Sequence, residues 1–318
     1  MFRLTAIAAF ATLSLIPAAS SAQGIDFTTH HYATKDGQDL YLDLIVDPSA
    51  ESDGPRPVII YSFGGGWEEG DRGSEDDAEM WAPFLSEGYA VVAIDYRLGV
   101  RDAKQSGEFN DENGTEIYLR AIEWGVEDLF DATRFVVDHA DEWNLNADQI
   151  VTLGGSAGAT NSLVAEYHAA NATPLAQAHL PDGFRYAGVI SMAGAFWLPE
   201  GTPLEFAARP APIMFFHGAQ DWLVTYDEVQ GDFAGYGPAY YVREFAGPDY
   251  PKWFVDYPQG DHMLAALPIM TRQPEMLAFL ERLAIGREEL SIHTIEEATF
   301  PASFEGLMKK LEAEGQDR

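Results

Sequence analysis

The sequence predicts an α/β protein: a mostly parallel central sheet, helices on both of its faces, and an antiparallel hairpin at its start. Three observations carry this. Short, solidly apolar runs such as Val58-Ile59-Ile60 and Ala90-Val91-Val92-Ala93-Ile94 alternate with longer segments of helical spacing. Strands covered on both faces read as continuous apolar runs, because neither face meets water. Ahead of them, residues 27–32 and 40–46 flank Lys35-Asp36-Gly37-Gln38, the composition of a hairpin turning at Asp36-Gly37. Finally, Gly64 to Trp67, Ser156, Asp221 and His262 each follow the end of an apolar run, where open parallel sheets bind ligands.

Composition bounds the rest. With 318 residues, 47% of them hydrophobic, the chain can form one large domain or two ordinary ones. Met1-Phe2-Arg3, an apolar run over residues 4–16 and small residues up to Ala22 compose a secretory signal peptide. The expected organisation is a signal peptide over 1–22, an α/β catalytic domain over 23–284 and a helical tail over 285–318. The apolar run is too short for a comfortable membrane span, no other segment suits one, and the mature protein is expected to be periplasmic or secreted. There is no cysteine, which excludes disulfides, thiol chemistry and lipoprotein attachment. Against 51 acidic residues stand 19 basic ones, a net charge of −32. Such a surface repels nucleic acid and anionic lipid. It fits a salt-rich habitat, and equally an ordinary acidic exported enzyme; a stability curve against NaCl separates the two.

Taken in order, residues 48–56 read as a polar loop and 57–62 as a buried central strand. The strand runs into Phe63-Gly64-Gly65-Gly66-Trp67, where three glycines let the backbone turn and present N–H groups outward. Residues 75–85 have helical spacing with Gly88 to close them, 90–96 form a second buried strand, and 97–115 read as an irregular polar excursion. Residues 117–139 place Leu119, Ile122, Val126, Leu129, Thr133 and Val136 at helical spacing. Ile150-Val151-Thr152-Leu153 is a strand that ends in Gly154-Gly155-Ser156-Ala157-Gly158, and an Ala-rich helix follows to about residue 170. Strands at 186–192, 213–217 and 253–257 are separated by aromatic, Gly- and Pro-rich stretches, with one short helical piece within 226–251. A helix over 273–283 and amphipathic spacing at Phe304, Leu307 and Leu311 close the chain.

A Gly-x-Ser-x-Gly turn between strand and helix exposes its serine above the sheet in a strained conformation. A serine hydroxyl is a weak nucleophile until a base, an acid that orients the base, and donors for the developing oxyanion are supplied. Ser156 is the candidate nucleophile. His262, in the loop after the last strand of the sheet, is the candidate base; His217, at the end of an apolar strand, is its rival and reads as a buried structural residue. Asp221, four residues after His217, is the candidate acid, with Asp227 and Asp232 as rivals. Backbone N–H groups of Gly65, Gly66 and Ala157 are the candidate oxyanion hole, each such donor being worth about 10²–10³ in turnover. Phe63, Trp67 and Trp222 place aromatic rings near the expected mouth as candidate substrate contacts; such rings equally suit ordinary core, and Phe63 either packs under the glycine loop or faces the acyl pocket.

These motifs resemble an α/β-hydrolase. Phe63-Gly64-Gly65-Gly66-Trp67, Asp95-Tyr96-Arg97-Leu98, Gly154-Gly155-Ser156-Ala157-Gly158, His217-Gly218-Ala219-Gln220-Asp221 and Gly260-Asp261-His262 are similar to those of small bacterial esterases in the hormone-sensitive-lipase-like and feruloyl or acetyl-xylan esterase-like branches. Residues 36–43 resemble their opening hairpin, and the likeness covers about residues 27–283. It implies Ser156, Asp221 and His262 as a triad, Gly65, Gly66 and Ala157 as the oxyanion hole, acyl-transfer chemistry on a small-molecule or polysaccharide-linked ester, and neither a metal nor an organic cofactor. Phe63 departs from the branch, which usually has histidine before the glycines. The expected activity is serine carboxylic-ester hydrolysis on short-chain or aromatic acyl esters. The alternatives are a peptidase or amidase of prolyl-oligopeptidase type, a polyester depolymerase, and a non-catalytic binding protein on the same fold.

Overall fold

The computed structural model describes residues 24–52 and 54–297. The expected signal peptide and the apolar positions Phe304, Leu307 and Leu311 lie outside them. The opening hairpin pairs β1 (Asp26–Lys35) with β2 (Gln38–Val46) in antiparallel register. Its two-residue turn has positive φ at Asp36 (51°) and Gly37 (81°). That backbone twist matches the right-handed twist of the strands.

The remaining strands of the main sheet are β3 (Arg56–Ser62), β4 (Ala90–Ile94), β5 (Leu145–Gly155), β6 (Gly188–Met192), β8 (Ile213–Gly218), β11 (Lys252–Tyr257) and β12 (Ser291–Ile295). Among the described residues the sheet has nine strands in the order β1-β2-β4-β3-β5-β6-β8-β11-β12. From β4 onward every neighbour is parallel. The chain moves from β3 outward to β4, then returns past β3 to β5. The sheet therefore reverses its winding between β3 and β5, where parallel sheets open a crevice at their C-terminal ends.

Alternate residues of each strand feed two cores. Val58, Ile60, Val92 and Phe215 pack on one face with α2 (Gly99–Ser106), α3 (Gly114–Asp138) and α4 (Ala157–Ala170). Ile59, Val91, Val151 and Met214 pack on the other with α1 (Ala82–Ser86) and α8 (Gln273–Phe279). This double coverage is why the strands read as unbroken apolar runs. Two short helices, α5 (Pro174–His179) and α7 (Pro268–Thr271), fill connections. The short helical piece expected within 226–251 is α6 (Pro238–Glu244). Among the described residues no helix is long and apolar enough to cross a membrane.

Three expectations change. The excursion at 97–115 contains α2, because Val100 and Arg101 donate their N–H groups to the Trp67 carbonyl and Gly107 closes the helix at φ 78°. The aromatic stretches around 193–236 build a second sheet, β7 (Phe196–Pro199), β10 (Phe233–Tyr236) and β9 (Glu228–Val229), in that order. The tail, expected to be helical, places Ser291–Ile295 as β12 on the edge of β11. Ile-His-Thr-Ile is β-favouring, and the strand covers an otherwise open edge. There Trp253 donates Nε1–H to Thr294 Oγ1 (3.1 Å), and the His293 ring stacks on Phe254 at 5.1 Å.

Candidate active site

Ser156 sits between β5 and α4 at φ 51°, ψ −116°, in a region a residue with a Cβ rarely adopts. Close packing imposes it. A Cβ on Gly154 would lie 2.3 Å from the Gly158 carbonyl carbon, and one on Gly158 would lie 2.0 Å from the Ser62 oxygen. The turn is pinned by the Ser156 N–H, which donates to Met192 O at 2.8 Å, and by its carbonyl, which accepts from Thr160 N at 2.9 Å. Strain of this kind typically costs about 1–3 kcal/mol and is held by its surroundings.

His262 Nε2 lies 2.9 Å from Ser156 Oγ, and His262 Nδ1 lies 2.8 Å from Asp221 Oδ2. Asp261 Oδ1 accepts from Met263 N (3.0 Å) and so caps the turn that carries the histidine. The Asp221 side chain has no exposed surface. Its Oδ1 accepts the N–H groups of Leu223 and Val224, both at 2.9 Å. Burial by itself would raise the Asp221 carboxyl, but hydrogen bonds from His217 and His262 outweigh it and hold the group well below the usual carboxylate range. The anion fixes the imidazole proton on Nδ1 and leaves Nε2 facing the serine hydroxyl as an acceptor. The structure thus brings Ser156, Asp221 and His262 into one relay. Of the rival acids, Asp227 pairs with Arg243 at 2.9 Å and Asp232 lies exposed on the turn between β9 and β10. The rival base His217 reaches Asp221 and not the serine.

The glycine loop leaves β3 beside the serine, since β3 and β5 are neighbours with Ser62 opposite Gly154. A Cβ on Gly64 would come within 3.5 Å of the Ser156 Cβ. Gly65, Gly66 and Trp67 take positive φ values of 113°, 65° and 56°. Among the described residues no internal acceptor meets the N–H groups of Gly65, Gly66 or Ala157, the last at the free N-terminus of α4. Unpaired N–H groups beside a nucleophile can receive a carbonyl oxygen as it gains charge.

Phe63 and Trp67, expected at the substrate, instead hold this loop from beneath. They are 5% and 7% exposed. Phe63 stacks on Tyr96, and Trp67 donates Nε1–H to Asn161 Oδ1 at 2.9 Å. Burial explains the difference: an apolar ring after a strand end gains more from the core than from the mouth. Trp222 is 72% exposed and adjoins Asp221 in sequence. Sequence reasoning missed Tyr96, Asn161 and Arg72. Arg72 bridges Asp43 (2.5 Å) and Asp95 (2.7 Å), tying the far end of the loop to the sheet. Tyr96 lay within the Asp95-Tyr96-Arg97-Leu98 motif; nothing in the sequence marks Asn161. Glu127, Asp131 and His179 also converge, but Lys35 Nζ lies 2.5 Å from Glu127 and 2.6 Å from Asp131, so an ammonium already neutralises the carboxylates.

A parallel sheet of this order with a Gly-x-Ser-x-Gly turn after β5 is the α/β-hydrolase fold. Residues 42–123 match the family described as BD-FAE. A stretch of 143 residues is 32% identical to gut esterase 1 of Caenorhabditis briggsae, covering 43% of this chain and 23% of that protein. A stretch of 122 residues is 29% identical to pyrethroid hydrolase Ces2a of Mus musculus, covering 38% of this chain and 20% of that protein. The chain thus spans under a quarter of the length of these curated relatives. Among solved structures, the apo form of Thermogutta terrifontis esterase 2 superposes with a TM-score of 0.57 at 18% identity, covering 87% of this chain and all of that one. The same esterase phosphorylated by paraoxon gives 0.56 at 19% identity, over 83% and 96% of the two chains. The curated relatives are named as an esterase and a hydrolase, and the solved structures share the fold.

Proposed function

We propose that this chain is an exported serine carboxylic-ester hydrolase acting through an acyl-enzyme on short-chain or aromatic acyl esters, including esters carried on polysaccharides. The observation that carries the reading is the relay from Asp221 through His262 to Ser156, 2.8 Å and 2.9 Å long. Ser156 Oγ attacks the ester carbonyl as His262 Nε2 takes its proton. The N–H groups of Gly65, Gly66 and Ala157 receive the oxyanion. His262 then gives the proton to the departing alcohol, and water, activated by the same nitrogen, hydrolyses the acyl-enzyme. Asp221 remains ionised throughout, since its donors favour the anion. Export is supported by the composition of residues 1–22. The aromatic preference is supported by Trp222 beside Asp221.

The test is release of p-nitrophenol from a chain-length series of p-nitrophenyl esters, with methyl ferulate and a p-nitroanilide alongside, for the wild type and Ser156→Ala. Ester turnover lost in Ser156→Ala is expected; anilide turnover exceeding ester turnover would make the protein an amidase. Paraoxon, which phosphorylates the Thermogutta terrifontis esterase, is expected to inactivate the wild type at one equivalent and to leave Ser156→Ala unlabelled.

A further inference from the structure

We infer that His217 is a second positioning residue of the site: its Nε2–H steadies the same Asp221 carboxylate oxygen that His262 Nδ1 uses. The inference rests on the proposed acyl-transfer reading for its kinetic consequences, and on geometry alone for its structural ones.

His217 is the penultimate residue of β8 and is 1% exposed. Its Nε2 faces two oxygens, Val224 O at 3.2 Å and Asp221 Oδ2 at 3.4 Å. Neither can donate, so Nε2 carries the proton and is shared between them. The other ring nitrogen, Nδ1, is buried and meets no hydrogen-bond partner. A proton on Nδ1 would be a buried donor with no acceptor, so the geometry favours the tautomer with its proton on Nε2. The tautomer is thereby fixed by its surroundings. The ring face is closed by Tyr226, edge-on at 6.0 Å, whose hydroxyl donates to Asp256 Oδ1 at 2.8 Å.

Asp221 Oδ2 therefore lies between two imidazoles, while Oδ1 is taken by two backbone amides. With His217 in place, Oδ2 faces a second ring N–H besides that of His262, which restricts the carboxylate's swing and steadies the acceptor of the His262 Nδ1 proton. The backbone amides cannot do this alone, because they hold only Oδ1. The four-residue spacing from His217 to Asp221 sets the geometry: β8 ends, turns at Gly218 with Asp221 N–H donating to Gly218 O at 3.1 Å, and brings the carboxylate back over the imidazole.

The experiment compares wild type, His217→Leu and His217→Gln. Leucine fills the volume without a donor; the glutamine amide restores an N–H near the position of Nε2. Two readouts are used: steady-state turnover of p-nitrophenyl esters, and the NMR resonance of the His262 Nδ1 proton in 15N-histidine-labelled protein. In His217→Leu kcat is expected to fall about tenfold to a hundredfold, the scale for small misplacements of a catalytic group, with KM within twofold. The His262 Nδ1 proton should exchange faster while the backbone amide spectrum is retained. His217→Gln should recover most of both. Unchanged kcat and an unchanged Nδ1 resonance in His217→Leu would make His217 a packing residue and overturn the inference. So would equal losses in the leucine and glutamine variants. If the wild type hydrolyses no ester but the resonance responds as expected, the positioning role stands and the esterase reading falls.

Discussion

The Tyr96 hydroxyl donates to the Phe63 carbonyl at 2.8 Å while the two rings stack at 4.3 Å. Phe63 is the residue at which the chain departs from the esterases it resembles, and this contact is how the glycine loop is held without a histidine there. Both residues are buried, so the bond is shielded from water and worth more than a surface one. Tyr96→Phe keeps the stack and removes the bond. Its expected cost is about 1 kcal/mol of stability and a kcat reduced several-fold with KM little changed, checked by thermal denaturation and ester kinetics.

The far end of the same loop depends on Arg72. Asp43 is 1% exposed and accepts from both Arg72 and the Thr29 hydroxyl. Replacing Arg72 with leucine leaves that carboxylate buried beside Asp95 without its cation. Breaking a buried pair from one side costs about 3–5 kcal/mol; the partial exposure of Arg72, 23%, places the expectation toward or below the lower end. Urea denaturation measures it, and Asp43→Asn in the same background should recover part of the loss.

Trp67 links the loop to the helix that begins at Ser156. In Trp67→Phe the ring stays and the indole N–H to Asn161 goes, leaving an amide oxygen of a fully buried residue unpaired. A loss of about 1–3 kcal/mol is expected, together with a fall in kcat. Trp222→Ala, by contrast, alters an exposed side chain. It should shift stability by no more than about 0.5 kcal/mol while raising KM for aromatic esters, and an unchanged KM would remove Trp222 from the substrate contacts.

Stability should also depend on pH through Glu166. This α4 residue is 1% exposed, accepts one hydrogen bond from Ala211 N at 2.8 Å, and has its second oxygen unpartnered. Burial pushes its carboxyl up to about 7. In the unfolded chain the same group ionises near 4.3. Below that value both states are protonated and there is no penalty. As pH rises toward 7 the unfolded chain loses its proton first, so stability falls, and above 7 the loss is complete at about 4 kcal/mol. Chemical denaturation of wild type and Glu166→Gln across pH 4.5 to 8 checks this: the difference between the two should grow with pH in favour of the glutamine variant.

The sequence made the parallel sheet, the hairpin and the relay legible because each has a local signature: an apolar run, Asp36-Gly37, or a short motif at a strand end. What it hid depends on contacts between distant segments. Five alternating residues at 291–295 become a strand only because β11 offers an edge. Residues 233–236 pair with 196–199, across some thirty-five residues of chain that carry no hairpin signal. Phe63 and Trp67 read as mouth residues because their neighbours in sequence are glycines, while their neighbours in space are Tyr96 and Asn161. Asp221 and His217 were legible as a pair of residue types, but the approach of the His217 ring to the carboxylate was not.

The relay joins positions 106 and 41 residues apart in the chain. Contacts of such separation form late, after the loops between them have closed. Synthesis runs from the N-terminus, so Ser156 emerges long before His262, and the two meet only once β11 has docked beside β8. A chain that has not yet brought β11 beside β8 therefore has no imidazole placed at Ser156. On the proposed reading, the onset of ester turnover during refolding would time the arrival of the last central strand.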